Sequence, residues 1–270
     1  MSLLFNRIAI VNVDGREFKS PPFSIEFEVE FKENGIGASK LKLYNPAPET
    51  VDKCKPSKKE KVLVSIDAGY VDEYGRVYLG EIFEVKESFK RPDRILEIGL
   101  VDVSSSWVKF SINQQFTNQT ASSIIKSISS IAGIELGKVD LVKDPVIPKI
   151  YINTFENGVR ELSKLTDSNY YVKYGALQFD KEDKQIEKAY VLNYKSGLIG
   201  SPELVVKNDK KKKQERYKIR ALFNYKIQNR STLIVETGKD QKEMKLKVLC
   251  GKHTFSSFGN SFTEVEAILL

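Results

Sequence analysis

The chain has 270 residues and carries 43 Lys and Arg against 36 Asp and Glu, a formal net charge of +7. A chain of that length buries roughly three quarters of its unfolded surface and needs no disulfide to hold a core. Its two cysteines, Cys54 and Cys250, lack a CxxC or histidine partner, so they read as free thiols. No run approaches the roughly 20 apolar residues of a membrane span, and Met1–Arg7 lacks the features of a signal peptide. A soluble protein made in the cytosol, without membrane insertion, is expected.

Residues 1–112 read as nearly all strand. Arg7–Val13 is apolar on both faces and ends at Asp14–Gly15, a strong hairpin turn signal. Pro21–Pro22 interrupts any preceding ladder, and Phe23–Phe31 then alternates without a slip. One face carries Phe23, Ile25, Phe27, Val29 and Phe31, the expected core; the other lines up Glu26, Glu28 and Glu30. That acidic ladder on a basic protein is either a solvated face balanced by lysines on neighbouring strands or a surface kept acidic for a purpose. Ser39–Tyr44 is a further strand, closed by Asn45–Pro46–Ala47–Pro48, which cannot continue in a sheet. Lys61–Ala68 follows, then a turn over Tyr70–Arg76. Val77–Val85 contains Gly80, which marks a bulge or a close backbone approach, and Arg94–Val103 completes the set. Strands of this length and spacing indicate a sandwich or small barrel, with Trp107 and Phe110 closing its bottom.

The period then changes. Thr120 precedes Ala121, Ile124, Ile125, Ile128 and Ile131 at helical spacing, with Gly133 just past the end, a capped and terminated helix. Pro145 and Pro148 break the connection that follows. Phe155–Leu165 is a second helix with Phe155, Val159, Leu162 and Leu165 on one side. Tyr170–Tyr174, Gly175 and Ala176–Phe179 form a hairpin, and Lys188–Tyr194 another strand. Residues 113–195 thus form an α+β insert. Residues 196–216 are read as a linker with a basic loop, Lys210, Lys211, Lys212 and Lys213, which is either a solvated run or a patch contacting an acidic partner. Residues 217–270 return to strands at Tyr217–Phe223, Thr232–Thr237, Met244–Gly251 and Phe262–Ala267. They are few for a closed barrel, so strands from 186–206 or another subunit complete it. The expected fold is mainly β, with two small barrel-like domains enclosing a two-helix α+β domain.

No catalytic pattern emerges. His253 is the one histidine and has no acidic or cysteine partner at a useful spacing; no GxSxG nucleophile elbow occurs. Gly251–Lys252–His253–Thr254 lacks the first glycine and the Lys–Ser/Thr pair of a phosphate loop, and Gly35–Ile36–Gly37 lacks the third glycine of a dinucleotide site. Glutamates two apart on a strand are separated by about 7 Å, too far for one ion. No catalytic, cofactor-binding or metal residue and no cofactor is expected, and the protein reads as a non-enzyme. A basic nucleic-acid-binding β protein is the alternative, weakened because the aromatics fall at core positions and do not interleave with a basic stripe.

Several segments together resemble the tail hub proteins of bacteriophages and related contractile particles, the late control protein D-like group also found in tailocins and injection systems. The most specific is Tyr194–Lys195–Ser196–Gly197–Leu198–Ile199–Gly200–Ser201–Pro202–Glu203. Tyr78–Leu79–Gly80–Glu81–Ile82 is similar to a strand of the family's first barrel. Phe116–Ala121 with the Ile-rich helix, Gly158 to Leu165, and Tyr170–Leu177 resemble its insert, and Ala221–Asn224 stands where the family has Leu–Leu–Asn–Pro. Tyr225 replaces that proline, and Ile227–Arg230 lacks the glycine usual there. The resemblance implies a structural hub: a homotrimer presenting six small barrels as a ring with pseudo-sixfold symmetry. Such a ring joins the tail tube protein to a tip spike or fibre protein, with the tape-measure protein as a further partner. It also implies a place in the baseplate or tip of a virion tail, and DNA that passes through the ring without specific binding. On this reading Glu26, Glu28 and Glu30 face the lumen or an inter-barrel seam.

Overall fold

The computed structural model describes residues 6–35, 37–55, 62–102, 107, 110–181, 189–209, 212–237 and 242–270. The first β unit comprises β1 (Arg7–Val13), β2 (Arg16–Ser20), β3 (Ile25–Phe31), β4 (Ala38–Tyr44), β5 (Leu63–Tyr70), β6 (Glu73–Lys90) and β7 (Asp93–Val101). They pair antiparallel in the order β3-β4-β7-β6-β5-β1-β2. Asp14 and Gly15, at φ +49° and +82°, make the left-handed turn between β1 and β2. Alternation along β3 and β4 buries Ile25, Phe27, Val29, Leu41 and Leu43 in one core with Ile66, Ile98 and Leu100. Phe23 departs from the expected core row. It precedes β3 in a turn where its N–H donates to the Lys19 carbonyl, so its ring is 41% exposed and stands edge-on to Phe18. The Pro46–Pro48 stop is followed by a helix the periodicity does not reveal, α1 (Pro48–Cys54), which is too short to show one and buries Val51 and Cys54.

Gly80 lies in β6 where a Cβ would stand 2.2 Å from the Val101 carbonyl oxygen and from the Tyr78 hydroxyl. This is the close backbone approach. Because a carbonyl cannot yield as a side chain can, Gly80→Ala should cost on the order of 2 kcal/mol. A lower urea midpoint at unchanged slope would record that loss; an unshifted midpoint would refute it.

The insert contains β8 (Ser111–Thr120), α2 (Ala121–Ala132), β9 (Leu136–Val139), β10 (Val146–Thr154), α3 (Phe155–Leu165), β11 (Asn169–Lys173) and β12 (Ala176–Asp180). Thr120 caps α2 by accepting from the Ser123 N–H, and Gly133 at φ +64° ends it. Strands β8 and β10 pair with each other, while β11, β12 and β9 form a small sheet. Ile124, Ile125, Ile128, Val159 and Leu162 fill a separate core; Ile131 and Leu165, at the helix ends, are exposed. Trp107 belongs to this core, 4.7 Å edge-on from Phe155, and does not close the first β unit as expected.

The second β unit comprises β13 (Ala189–Leu192), β14 (Leu198–Asp209), β15 (Lys212–Leu222), β16 (Thr232–Thr237), β17 (Lys242–Ser256) and β18 (Phe262–Leu269). The stretch read as a linker is instead most of a long antiparallel hairpin, β14 with β15. Charge density masked its alternation: Glu203 and Lys218 face each other, as do Val205 and Arg216. The strands run β14-β15-β18-β17-β16-β13.

That order repeats the first unit. Strands β3, β4, β7, β6, β5 and β1 correspond in turn to β14, β15, β18, β17, β16 and β13, in the same chain sequence and the same neighbour relations. The one change of sense is that β1 and β5 are antiparallel whereas β13 and β16 are parallel. The two units share one ladder. β17 pairs β16 through Lys242–Lys247 and β3 through Gly251–Ser256, so a 13-stranded sheet runs through both. Among the described residues the ladder does not close into either of the two expected barrels; the curled sheet encloses two cores instead. The protein is mainly β with a small α+β insert.

Candidate assembly surface

Glu26, Glu28 and Glu30 project from β3 on the face opposite Phe27 and Val29. Antiparallel register places cations beside them: Glu26 stands opposite Lys42 on β4, Glu28 opposite Lys40, and Glu30 opposite Lys252 on β17. Lys252 pairs with Glu28 at 3.2 Å and with Glu264 at 3.6 Å, Glu30 pairs with Lys32 at 3.2 Å, and Glu26 accepts from the Ser256 hydroxyl at 3.0 Å. Across the sheet the signs alternate. One row reads Lys86, Glu97, Lys42, Glu26; another reads Glu30, Lys252, Glu264, Arg220; a third reads Glu266, Lys218, Glu203. What is an acidic ladder along one strand is therefore a balanced lattice across eight. These half-exposed pairs contribute little stability each, but they constrain register.

Besides the outer strands β2 and β13, two edges of this sheet are open among the described residues. β14 ends the ladder, with Ile199, Leu204 and Val206 exposed beside it. β6 is covered on one side by β5 only as far as Glu81, so Phe83–Lys90 has β7 on one flank and no strand on the other. In the second unit the equivalent stretch of β17 is the one that binds β3. Of the basic run, Lys210 and Lys211 lie outside the described residues, while Lys212 and Lys213 begin β15 opposite Asp209 and Asn208.

The insert is fastened where both units meet. Tyr170 N–H and hydroxyl bond the side chain and carbonyl of Asn34, at 3.1 and 3.2 Å. The Tyr174 hydroxyl donates to the Arg76 carbonyl at 2.8 Å and accepts from Gln228, and Asn229 donates to the Lys32 carbonyl at 2.9 Å. Tyr78, Asp102, Gln228, Asn229 and His253 line a cavity of about 40 Å³ between them. Burial drives the Asp102 carboxyl up to about 7, against the Gly37 N–H it accepts at 3.1 Å. Burial holds His253 down at about 4, with Nδ1 2.9 Å from the Thr263 hydroxyl. Sequence reasoning set His253 aside as structural or exposed, of which burial selects the first, and missed Asp102, because no local pattern marks a carboxyl that only tertiary packing desolvates. Cys54 and Cys250 are not joined in a disulfide.

Neither a family model nor a curated protein matches the chain. Solved structures do. The 43 kDa tail protein of prophage MuSo2 from Shewanella oneidensis superposes with a TM-score of 0.71 at 12% identity, over 98% of this chain and 97% of that one. A tail protein from Neisseria meningitidis gives 0.73 at 10% identity, over 97% and 96%. An Escherichia coli component of the type VI secretion system, itself described as structurally similar to T4 bacteriophage tail proteins, gives 0.70 at 11% identity, over 96% of this chain and 76% of that one. At these identities the likeness is one of fold: the chain has the architecture of phage tail proteins and of the related secretion component.

Proposed function

We propose that the protein is a structural hub of a phage or phage-like tail, in which three copies bring six β units into a ring with pseudo-sixfold symmetry. The observation that carries this reading is the internal repeat with one junction made and its equivalent left open. Within the chain, β17 binds the outer edge of β3. In the first unit the corresponding strand is β6, whose Phe83–Lys90 stretch has a free flank among the described residues, and the strand corresponding to β3 is β14, whose outer edge is likewise free among them. Joining β6 of one copy to β14 of the next repeats the internal junction between chains. This head-to-tail contact closes when the rotation completes a circle and covers these two edges.

The ring joins a tail tube protein on one face to a tip spike or fibre protein on the other, with the tape-measure protein adjoining, in a virion tail. Its function resides in contact surfaces and not in a catalytic residue. Glu26, Glu28 and Glu30 lie on the lattice of alternating charge, and that face lines the channel or the seam between units. Balanced signs leave no strong field there, so DNA passes without adhering. The same balance disfavours a nucleic-acid-binding role, which needs a one-signed stripe. The basic run Lys210–Lys213 is a contact for an acidic partner.

Light scattering should give a mass near three times 30.7 kDa, alone or with the tube protein present. Proline placed at Leu204 and, separately, at Val205 removes one N–H from each side of β14. The variant that loses the outward donor should fall to monomer with unchanged circular dichroism. A wild-type chain that stays monomeric and fails to bind tube protein would overturn the hub reading.

A further inference from the structure

The sheet of the insert and the second β unit do not pack flush. Between them opens a cleft of about 400 Å³, within the range of ligand-binding sites. Lys138, Lys173, Lys181, Lys226, Arg230 and Lys247 line it, against only Asp140 and Asp180. Charge alternates across the face of the large sheet; here it accumulates. Asp140 is shared by Lys138 at 3.6 Å and Lys181 at 3.5 Å, so one carboxylate serves two ammonium groups. Lys226 turns outward to Glu73, and Lys173 sits 5.6 Å over the Tyr174 ring.

Arg230 is the distinctive member. It occupies a left-handed backbone conformation at φ +67°, which a non-glycine side chain adopts at a cost. Its side chain is 11% exposed, with Nε 3.6 Å from Asp180 and Nη1 3.7 Å from Glu33. Both η nitrogens are buried without a hydrogen bond. A buried guanidinium has five donors in a planar fork, and leaving two nitrogens without a hydrogen bond is costly even with carboxylates at ion-pair distance. A planar two-oxygen acceptor matches that fork.

We propose that this cleft binds carboxylates of an acidic segment from a partner protein, with Arg230 as the fork and Lys138 and Lys181 as flanking charges. Asp140 and Asp180 decide the class of partner. They break the cationic lining at two points and would repel the closely spaced phosphates of a nucleic-acid backbone, whereas a peptide can space its carboxylates around them. This assignment is independent of ring formation, because the cleft lies between the insert and the second unit of a single chain.

The test titrates the full-length protein with a fluorescent Glu-rich peptide, a single-stranded oligonucleotide of equal charge and inorganic phosphate. The wild type should bind the peptide saturably and the other two more weakly. Lys138→Glu combined with Lys181→Glu changes two exposed side chains and should raise the peptide dissociation constant roughly tenfold, while Lys126→Glu, exposed on α2 and outside the cleft lining, should leave it unchanged. Arg230→Lys keeps the charge but loses the fork and should also weaken binding, with melting followed to verify the fold. Absence of saturable peptide binding, binding indifferent to the lysine pair, or tighter lysine-dependent binding of the oligonucleotide would each overturn the proposal.

Discussion

Asp102→Asn and His253→Gln should change the pH dependence of stability in opposite directions. The Asp102 carboxyl titrates near 3.8 when exposed and at about 7 in the folded chain. Its folded value is raised, so the native state holds the proton more tightly. The stability it supplies is complete below pH 3.8 and drains away as the pH rises through about 7. The span corresponds to about 4 kcal/mol. His253 is the reverse case, since burial lowers it from 6.5 to about 4. Its contribution is complete above pH 6.5 and is lost as the pH falls through about 4, a span of about 3 kcal/mol.

Across roughly pH 4 to 6.5 the two slopes oppose each other and largely cancel. Removing Asp102 exposes the acid sensitivity of His253: the variant should gain on the wild type steadily from pH 4 to 7. Removing His253 exposes the alkaline loss of Asp102: that variant should fall behind the wild type over the same range. The charged groups near Asp102 are Lys32, which lowers its pKa, and Glu30, which raises it, and both stay in place in the two variants. Urea unfolding at half-unit pH steps measures the differences directly. Variant and wild-type curves running parallel would show that neither group is desolvated as described.

The second large effect is at the junction of the units. Phe27 on β3 stands opposite Phe255 on β17, ring centroids 5.1 Å apart and stacked, and Phe223 meets both edge-on at 6.1 and 6.0 Å. All three are 2–3% exposed, and Phe255 from β17 and Phe223 just past the end of β15 lie in the core of the first unit. Phe27→Ala should therefore cost about 3–5 kcal/mol and weaken both units at once. Amide exchange in β4 and β18 should quicken together, while α2, whose core is separate, is less affected. Acceleration confined to β4 would mean that the shared sheet does not couple the units.

Much of this fold is legible in the residues. Alternation marks β3 and β4, Asp14–Gly15 and Tyr174–Gly175 mark turns that adopt left-handed angles, and Thr120 with Gly133 delimits α2. These signals are local: each depends on neighbours within a few positions, where spacing dictates which side chains share a face. β14 and the start of β15 escaped because Gly200–Ser201–Pro202 interrupts the alternation of one and Lys212–Arg216 is crowded with charge in the other, and their strand state depends on pairing with each other and, for β15, with β18.

The sequence by itself determined the mainly β character, the α+β insert, the apolar row of β3 and the glutamates on its reverse. Only the tertiary structure decided that the two β units repeat one strand order, that β17 welds them into a single sheet, and that the acidic ladder becomes a balanced lattice. It also decided which carboxyl loses its water and where cations gather. The reason is physical. A side chain's face follows from backbone period, but its partner follows from register between strands far apart in the chain, and the charge and titration of a group belong to that partner as much as to the residue.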